Sequence, residues 1–254
     1  MWGGFRRIAS LTFKKYQPIG LISVFVPFHD DNPLRVIRFQ YVTGAIIIIN
    51  IAVFLMTGAF TSEESLAMLA SGYGIVPAEL THAISPLPGA NPIPEPLTLI
   101  TYQFLHAGWM HLISNMLFLW VFADNIEDAF GHPAFLFFYL VSGIAGGLLH
   151  AVMEPSSPAP LIGASGAVSG VLAAYLLLYP RARVWILLFL RIPIRLPAIW
   201  VLGGWAVLQL ISMAITTSDK TIDIAWWAHI GGFSAGLAMT ILMRSRLLIR
   251  PTRR

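Results

Sequence analysis

Six stretches of this sequence are long and apolar enough to require a bilayer, and that requirement restricts the fold more than any other feature. They lie near 41–60, 107–126, 133–153, 165–180, 197–216 and 226–243. Each supplies about 17–25 mostly apolar residues, the length a helix needs to cross a ~30 Å hydrocarbon core. Lipid offers no partner to a backbone N–H or C=O, so a single spanning segment must be helical. Composition agrees. Hydrophobic residues make up 57% of the chain and charged residues 11%, against about a quarter charged in a soluble domain. The expected fold is an all-α membrane protein, a bundle of six transmembrane helices.

The distribution of charge orients this bundle. Arg6, Arg7, Lys14, Lys15, Arg35 and Arg38 precede the first window, and Arg181, Arg183, Arg191 and Arg195 lie between the fourth and fifth. Arg244, Arg246, Arg250, Arg253 and Arg254 follow the sixth, and Lys220 alone falls on the other side. Basic residues stay cytoplasmic, so both termini and the 181–195 connection are expected there. An excess of base in a soluble chain would suggest nucleic acid, but aromatic stacking positions and single-strand motifs are missing, so no nucleic-acid partner is expected. The absence of cysteine excludes disulfides and a thiol nucleophile.

Two units are expected: residues 1–40 as a cytoplasmic or interfacial segment, and 41–250 as the six-span domain. The run 18–28, PIGLISVFVPF, is too short and proline-broken for a signal peptide and is expected to lie on the membrane surface. The outer loop 61–98 lacks Lys and Arg, and its second half is too proline-rich for a regular helix. The run 181–195 is apolar, flanked by arginine and interrupted by Pro193, which suggests an interfacial or re-entrant piece. Glu127 is expected to cap or pair locally.

Polar groups inside a membrane are costly and mark function by default. The second window opens with His106, His111 and Asn115, the third ends in His150, the fourth begins at Ser165, and the sixth contains His229. His111 and Asn115 are four apart and share a helical face. Gly166 and Gly170 in window four, and Gly232 and Gly236 in window six, have the small-xxx-small spacing that lets helix backbones approach closely. His229 lies on the same face as Gly232 and Gly236, and Ser165 stands one residue before the glycines of its own helix. If those faces meet, the Ser165 hydroxyl reaches the His229 imidazole.

A serine becomes nucleophilic when an adjacent base takes its proton, and neutral imidazole suits that role near pH 7. The tetrahedral intermediate then needs hydrogen-bond donors, which the His111 ring, the Asn115 amide and the Ser165 backbone N–H can supply. Asp223 lies about 120° off the face of His229, so the reading is a dyad. The competing reading leaves Ser165 as a packing residue and Asn115 as an interhelical hydrogen bond. His106 and His150 are expected to make structural hydrogen bonds, with lining of a water-accessible cavity the equal alternative for His150. A metal-dependent protease would want H-E-x-x-H, whereas His106 and His111 are five apart with no carboxylate between them. A transporter would show paired repeats, and none is found. No metal or cofactor is expected.

GASG at 163–166, HLISN at 111–115 and AHIGGFSAG at 228–236 resemble the signature motifs of the rhomboid intramembrane serine proteases. PFHDDNP before the first window and HAGWMHLISNMLFLWVFADNIEDAFG through the second extend the resemblance. It implies Ser165 as nucleophile, His229 as general base, and His111, Asn115 and the Ser165 amide as oxyanion hole. It also implies a six-helix core around a water-filled cavity open to the outside of a bacterial cytoplasmic membrane. Span four would be short, and span five would gate the access of transmembrane protein substrates. An inactive relative that only binds or escorts membrane proteins is the alternative. Ser169 stands where some members place a tyrosine against the histidine, so imidazole orientation is expected to use other contacts, with Trp226 or Trp227 the candidates. Asp124 replaces a frequent glycine, and the first loop has no alignable Trp-Arg pair.

Overall fold

A computed structural model describes residues 25–59, 62–84, 92–216 and 225–247. The run 18–24, the Lys220–Asp223 segment and the arginines beyond 247 lie outside the described residues. Helices occupy all six apolar windows: α1 (Tyr41–Thr57), α5 (Trp109–Phe130), α6 (His132–Met153), α7 (Ser165–Leu178), α8 (Ala198–Thr216) and α9 (Trp226–Leu247). Three shorter helices lie between the first two: α2 (Glu63–Tyr73), α3 (Pro77–Leu80) and α4 (Glu95–Thr101). Among the described residues α6 alone is long and apolar enough to cross a membrane by itself, and the Glu95–Phe104 and Trp109–Phe130 pair passes only together, bent by 83°. Tyr41–Thr57, Ser165–Leu178 and Ala198–Ile211 are apolar but shorter.

The proline-rich loop places its helix where proline fits. Pro94 precedes α4 and Pro96 sits in its first turn, positions at which the missing N–H costs nothing. Ser62 caps α2 by accepting from the Ser65 N–H.

α7 is the centre of the bundle, with Gly166 through Tyr175 buried. It packs against α6 and α9 through a seam of small residues. A Cβ on Gly232 would stand 1.9 Å from the Gly166 carbonyl oxygen, and one on Gly236 would stand 2.5 Å from the Gly170 Cα. A Cβ on Gly146 of α6 would come within 2.6 Å of the Ala228 carbonyl oxygen. No side chain fits between these backbones.

The all-α expectation misses one feature. The 181–195 run is not helical: it lies in the hairpin β2 (Arg183–Leu188) and β3 (Ile192–Pro197), and β2 also pairs antiparallel with β1 (Phe25–Asp30). The hairpin turns through Phe189 and Leu190, with φ of 51° and 56°. Glycine or asparagine usually fills such positions, so the turn carries no composition signal. The prolines sit on the edge strands, Pro27 in β1 and Pro193 and Pro197 in β3, where no ladder hydrogen bond is lost.

The sheet end of the molecule is tied together by carboxylates. Glu127, at the foot of α5, accepts from the backbone N–H groups of Val42 (2.9 Å) and Thr43 (2.7 Å) in the first turn of α1. Asp128 accepts from the N–H groups of Arg35, Val36 and Ile37. The Gln40 side chain makes no cap for α1, so a carboxylate from another helix satisfies its orphan donors and meets its positive dipole end. Glu127 therefore caps a helix far away in sequence, which was not expected, in addition to the expected local pairing, made here with the His132 ring. Asp30 of β1 accepts from the Tyr175 hydroxyl of α7, and Arg195 pairs with Asp31.

Candidate active site

At the opposite end of α5 from the sheet, the chain turns into α7 under tight constraint. Gly163 has φ of +127°, and a Cβ there would stand 2.7 Å from His111 Cε1 and Nε2. Only glycine satisfies both the conformation and the contact. Its N–H donates to the Tyr102 carbonyl (2.9 Å), and the Tyr102 hydroxyl donates to the Gly143 carbonyl of α6 (2.6 Å). The turn delivers Ser165 as the first residue of α7, with Ala164 as the cap. The N–H of a first helical residue has no intrahelical partner, and that helix end favours negative charge.

The glycine seam then sets the distance to α9. His229 sits one turn before Gly232, and its Nε2 lies 2.8 Å from Ser165 Oγ. The other ring nitrogen, Nδ1, lies 3.2 Å from Gln209 Oε1 of α8. Two indoles flank the ring: Trp226 meets it edge-on at 6.1 Å between centroids, and Trp205 is tilted against it at 6.3 Å. Ser169 takes no part in holding the imidazole. It is buried, and its hydroxyl donates to the Ser165 carbonyl at 2.7 Å.

The remaining candidates gather on the same side. The His111 ring rests on Gly163, two residues before Ser165. His111 Nδ1 accepts from the Ala107 N–H (3.4 Å), which leaves the proton of a neutral ring on Nε2, the nitrogen nearest the turn. The buried Asn115 donates one amide hydrogen to the His111 carbonyl (3.1 Å) and keeps the second. His150 Nδ1 has no hydrogen-bond partner among the described residues, where a structural hydrogen bond was expected. His106 lies beside His111, with ring centroids 5.0 Å apart, and neither of its ring nitrogens has a hydrogen-bond partner among the described residues, where structural hydrogen bonds were expected here too. A cavity of about 560 Å³ at the sheet end, lined by Phe28, Asp30, Trp120 and Asp124, contains none of these groups.

Sequence reasoning missed Gln209 and Trp205. The available signal was one uncharged polar residue in the apolar run AVLQLI, four residues after a tryptophan and so on its face.

Two helices fused by glycine, with a hydroxyl on one hydrogen-bonded to an imidazole on the other, define a helical protein with a serine–histidine pair at a helix N-terminus. The chain belongs to the rhomboid family: the rhomboid domain profile matches residues 94–246. It is 29% identical over 166 residues to the mitochondrial RHOMBOID-like protein 12 of Arabidopsis thaliana, covering 59% of this chain and 47% of that protein. It is 31% identical over 144 residues to the putative rhomboid protease YdcA of Bacillus subtilis, covering 57% and 65%. Over 78 residues it is 42% identical to the rhomboid protease GluP of the same bacterium, covering 31% and 15%. The chain thus spans less than two thirds of the length of these relatives.

Proposed function

We propose that this protein is an intramembrane serine endopeptidase that cleaves transmembrane segments of membrane-anchored proteins near the outer face of the membrane. The observation that carries the reading is the 2.8 Å hydrogen bond between Ser165 Oγ and His229 Nε2. Ser165 Oγ attacks the scissile carbonyl while its proton passes to His229 Nε2. The oxyanion is held by the Ser165 N–H, the second Asn115 amide hydrogen and His111 Nε2–H. Collapse breaks the C–N bond, and His229 returns the proton to the leaving amine. Water then hydrolyses the acyl-enzyme by the same base. The chemistry calls on no cofactor or metal.

The six helices are read as six spans forming the catalytic domain 41–250, with residues 1–40 and both termini cytoplasmic. A bacterial cytoplasmic membrane is the proposed location, its site opening to the periplasmic or extracellular side. With 14 residues, α7 rises about 21 Å. It therefore ends roughly 10 Å short of a ~30 Å core, which sinks Ser165 below the outer surface within reach of water. A substrate helix must unwind locally before its carbonyl can be attacked, because its backbone is otherwise hydrogen-bonded, so small residues and a weak helix near the cleavage point are favoured. The inactive-relative alternative predicts loss of the serine or the histidine, and this chain keeps both. Labelling with a serine-directed fluorophosphonate tests the proposal. Wild type should label, whereas Ser165→Ala and His229→Ala should not; labelling that survives loss of Ser165 would return that residue to a packing role.

A further inference from the structure

We infer that Gln209 is a positioning residue: from α8, its side-chain carbonyl fixes the tautomer and ring plane in which His229 faces Ser165. The inference rests on the proposed serine-protease reading and adds a third member, on a third helix, to the dyad.

A neutral imidazole carries one N–H and one lone pair. To act as base toward Ser165, His229 must present its lone pair at Nε2, so Nδ1 must carry the proton. Gln209 Oε1, at 3.2 Å from Nδ1, is the acceptor that this tautomer needs. The reversed amide would donate to Nδ1 and put the ring proton on Nε2, facing the hydroxyl it is meant to deprotonate. Trp205, one turn earlier on α8, lies against the same ring, so two side chains from a single face of α8 hold the imidazole. Around Gln209 the helix is apolar and exposed at Val207, Leu208, Leu210 and Ile211. A lone amide in such a helix needs an internal partner, and His229 provides it. The position occupied by Ser169, which bonds the Ser165 carbonyl, contributes nothing to the ring, so support for the base comes from α8.

An amide differs from the aspartate of a Ser-His-Asp triad in adding no charge. It orients the ring without the cost of an ionised carboxylate in low dielectric, as asparagine does in Cys-His-Asn proteases. The expected contribution is therefore one well-placed hydrogen bond, about 10- to 100-fold in rate, below the ~10⁴-fold lost when a triad aspartate is replaced.

The test uses the full chain in proteoliposomes and follows both cleavage of a reporter transmembrane substrate and the fluorophosphonate labelling rate from pH 5 to 9. Gln209→Leu should lower kcat and the labelling rate together by about 10- to 100-fold, with KM changed less than about twofold. Gln209→Glu keeps the acceptor and adds charge. It should retain activity and move the acid limb of the profile to higher pH, because a carboxylate at Nδ1 favours the imidazolium. The titratable groups that face His229, His111 of α5 and His150 of α6, are the same in every variant. Wild-type kcat and labelling in Gln209→Leu would overturn the inference, as would an unmoved acid limb in Gln209→Glu. If Gln209→Leu fails to fold, the Glu variant still decides. Failure of the underlying reading looks different, since wild-type protein itself would then not label at Ser165.

Discussion

At the sheet end, Glu127 and Asp128 are almost fully buried, and each carboxylate is occupied by two or three backbone N–H donors from residues 35–43. At the site end, Ser165, Gln209 and Asn115 also sit among apolar helices, yet each keeps spare hydrogen-bonding capacity, while His229 has both ring nitrogens engaged by Ser165 and Gln209. The Ser165 N–H opens a helix, and Asn115 holds one amide hydrogen in reserve. On the proposed reading, the difference separates buried polar groups that belong to the fold from those that serve the chemistry. A saturated carboxylate has nothing left to offer a substrate and is expensive to remove. A partly satisfied serine or amide costs little to remove from the fold, and on the proposed reading its loss leaves the reaction without a partner.

Mutation of the two ends should therefore separate activity from stability. Ser165→Ala should remove reporter cleavage altogether, by a factor of at least about 10⁴, while the unfolding midpoint in detergent stays at the wild-type value. A large loss of stability would place Ser165 with the structural groups. Asn115→Ala should cost about 1–4 kcal/mol of transition-state stabilisation, seen in kcat/KM; unchanged kinetics would remove it from the oxyanion hole. Glu127→Ala should do the reverse. It orphans two helix N–H donors and should lower stability by about 2–3 kcal/mol in an SDS-unfolding titration, with kcat unaltered in the folded fraction.

The smallest effect concerns Asp30, whose pKa is pushed up to about 6, chiefly by loss of hydration and against the Tyr175 hydroxyl that donates to it. Its folded pKa exceeds the unfolded value of 3.8, so the folded state binds the proton more tightly and stability falls as pH rises from about 4 to 6. Asp30→Asn should flatten that stretch, recovering about 1 kcal/mol at pH 7. A variant that keeps the wild-type slope would assign the pH dependence to another group.

The sequence discloses whatever is local. Apolar length predicts the six helices to within a few residues at most ends, and the four-residue spacing of Gly166–Gly170 and Gly232–Gly236 marks the faces that meet, carrying Ser165 and His229 with them. Pairings between distant segments are hidden. β1 finds β2 more than 150 residues later, and β2 reaches β3 through a turn of Phe189 and Leu190 that no turn rule anticipates. Glu127 discloses its local partner, which is His132, but not its backbone donors Val42 and Thr43, which precede it by 85 and 84 residues. Gln209 escaped attention because its importance lies in what α9 brings to it.

The glycine contacts between α7 and α9 have a mechanical consequence. With backbone pressed on backbone, there is no compressible side chain through which the two helices can slip, so Ser165 and His229 travel as one piece. On the proposed reading, any opening that admits a guest peptide must be borne by neighbouring parts, and α8, bearing Gln209, is the neighbour whose displacement would free His229 Nδ1 without separating Nε2 from the Ser165 hydroxyl.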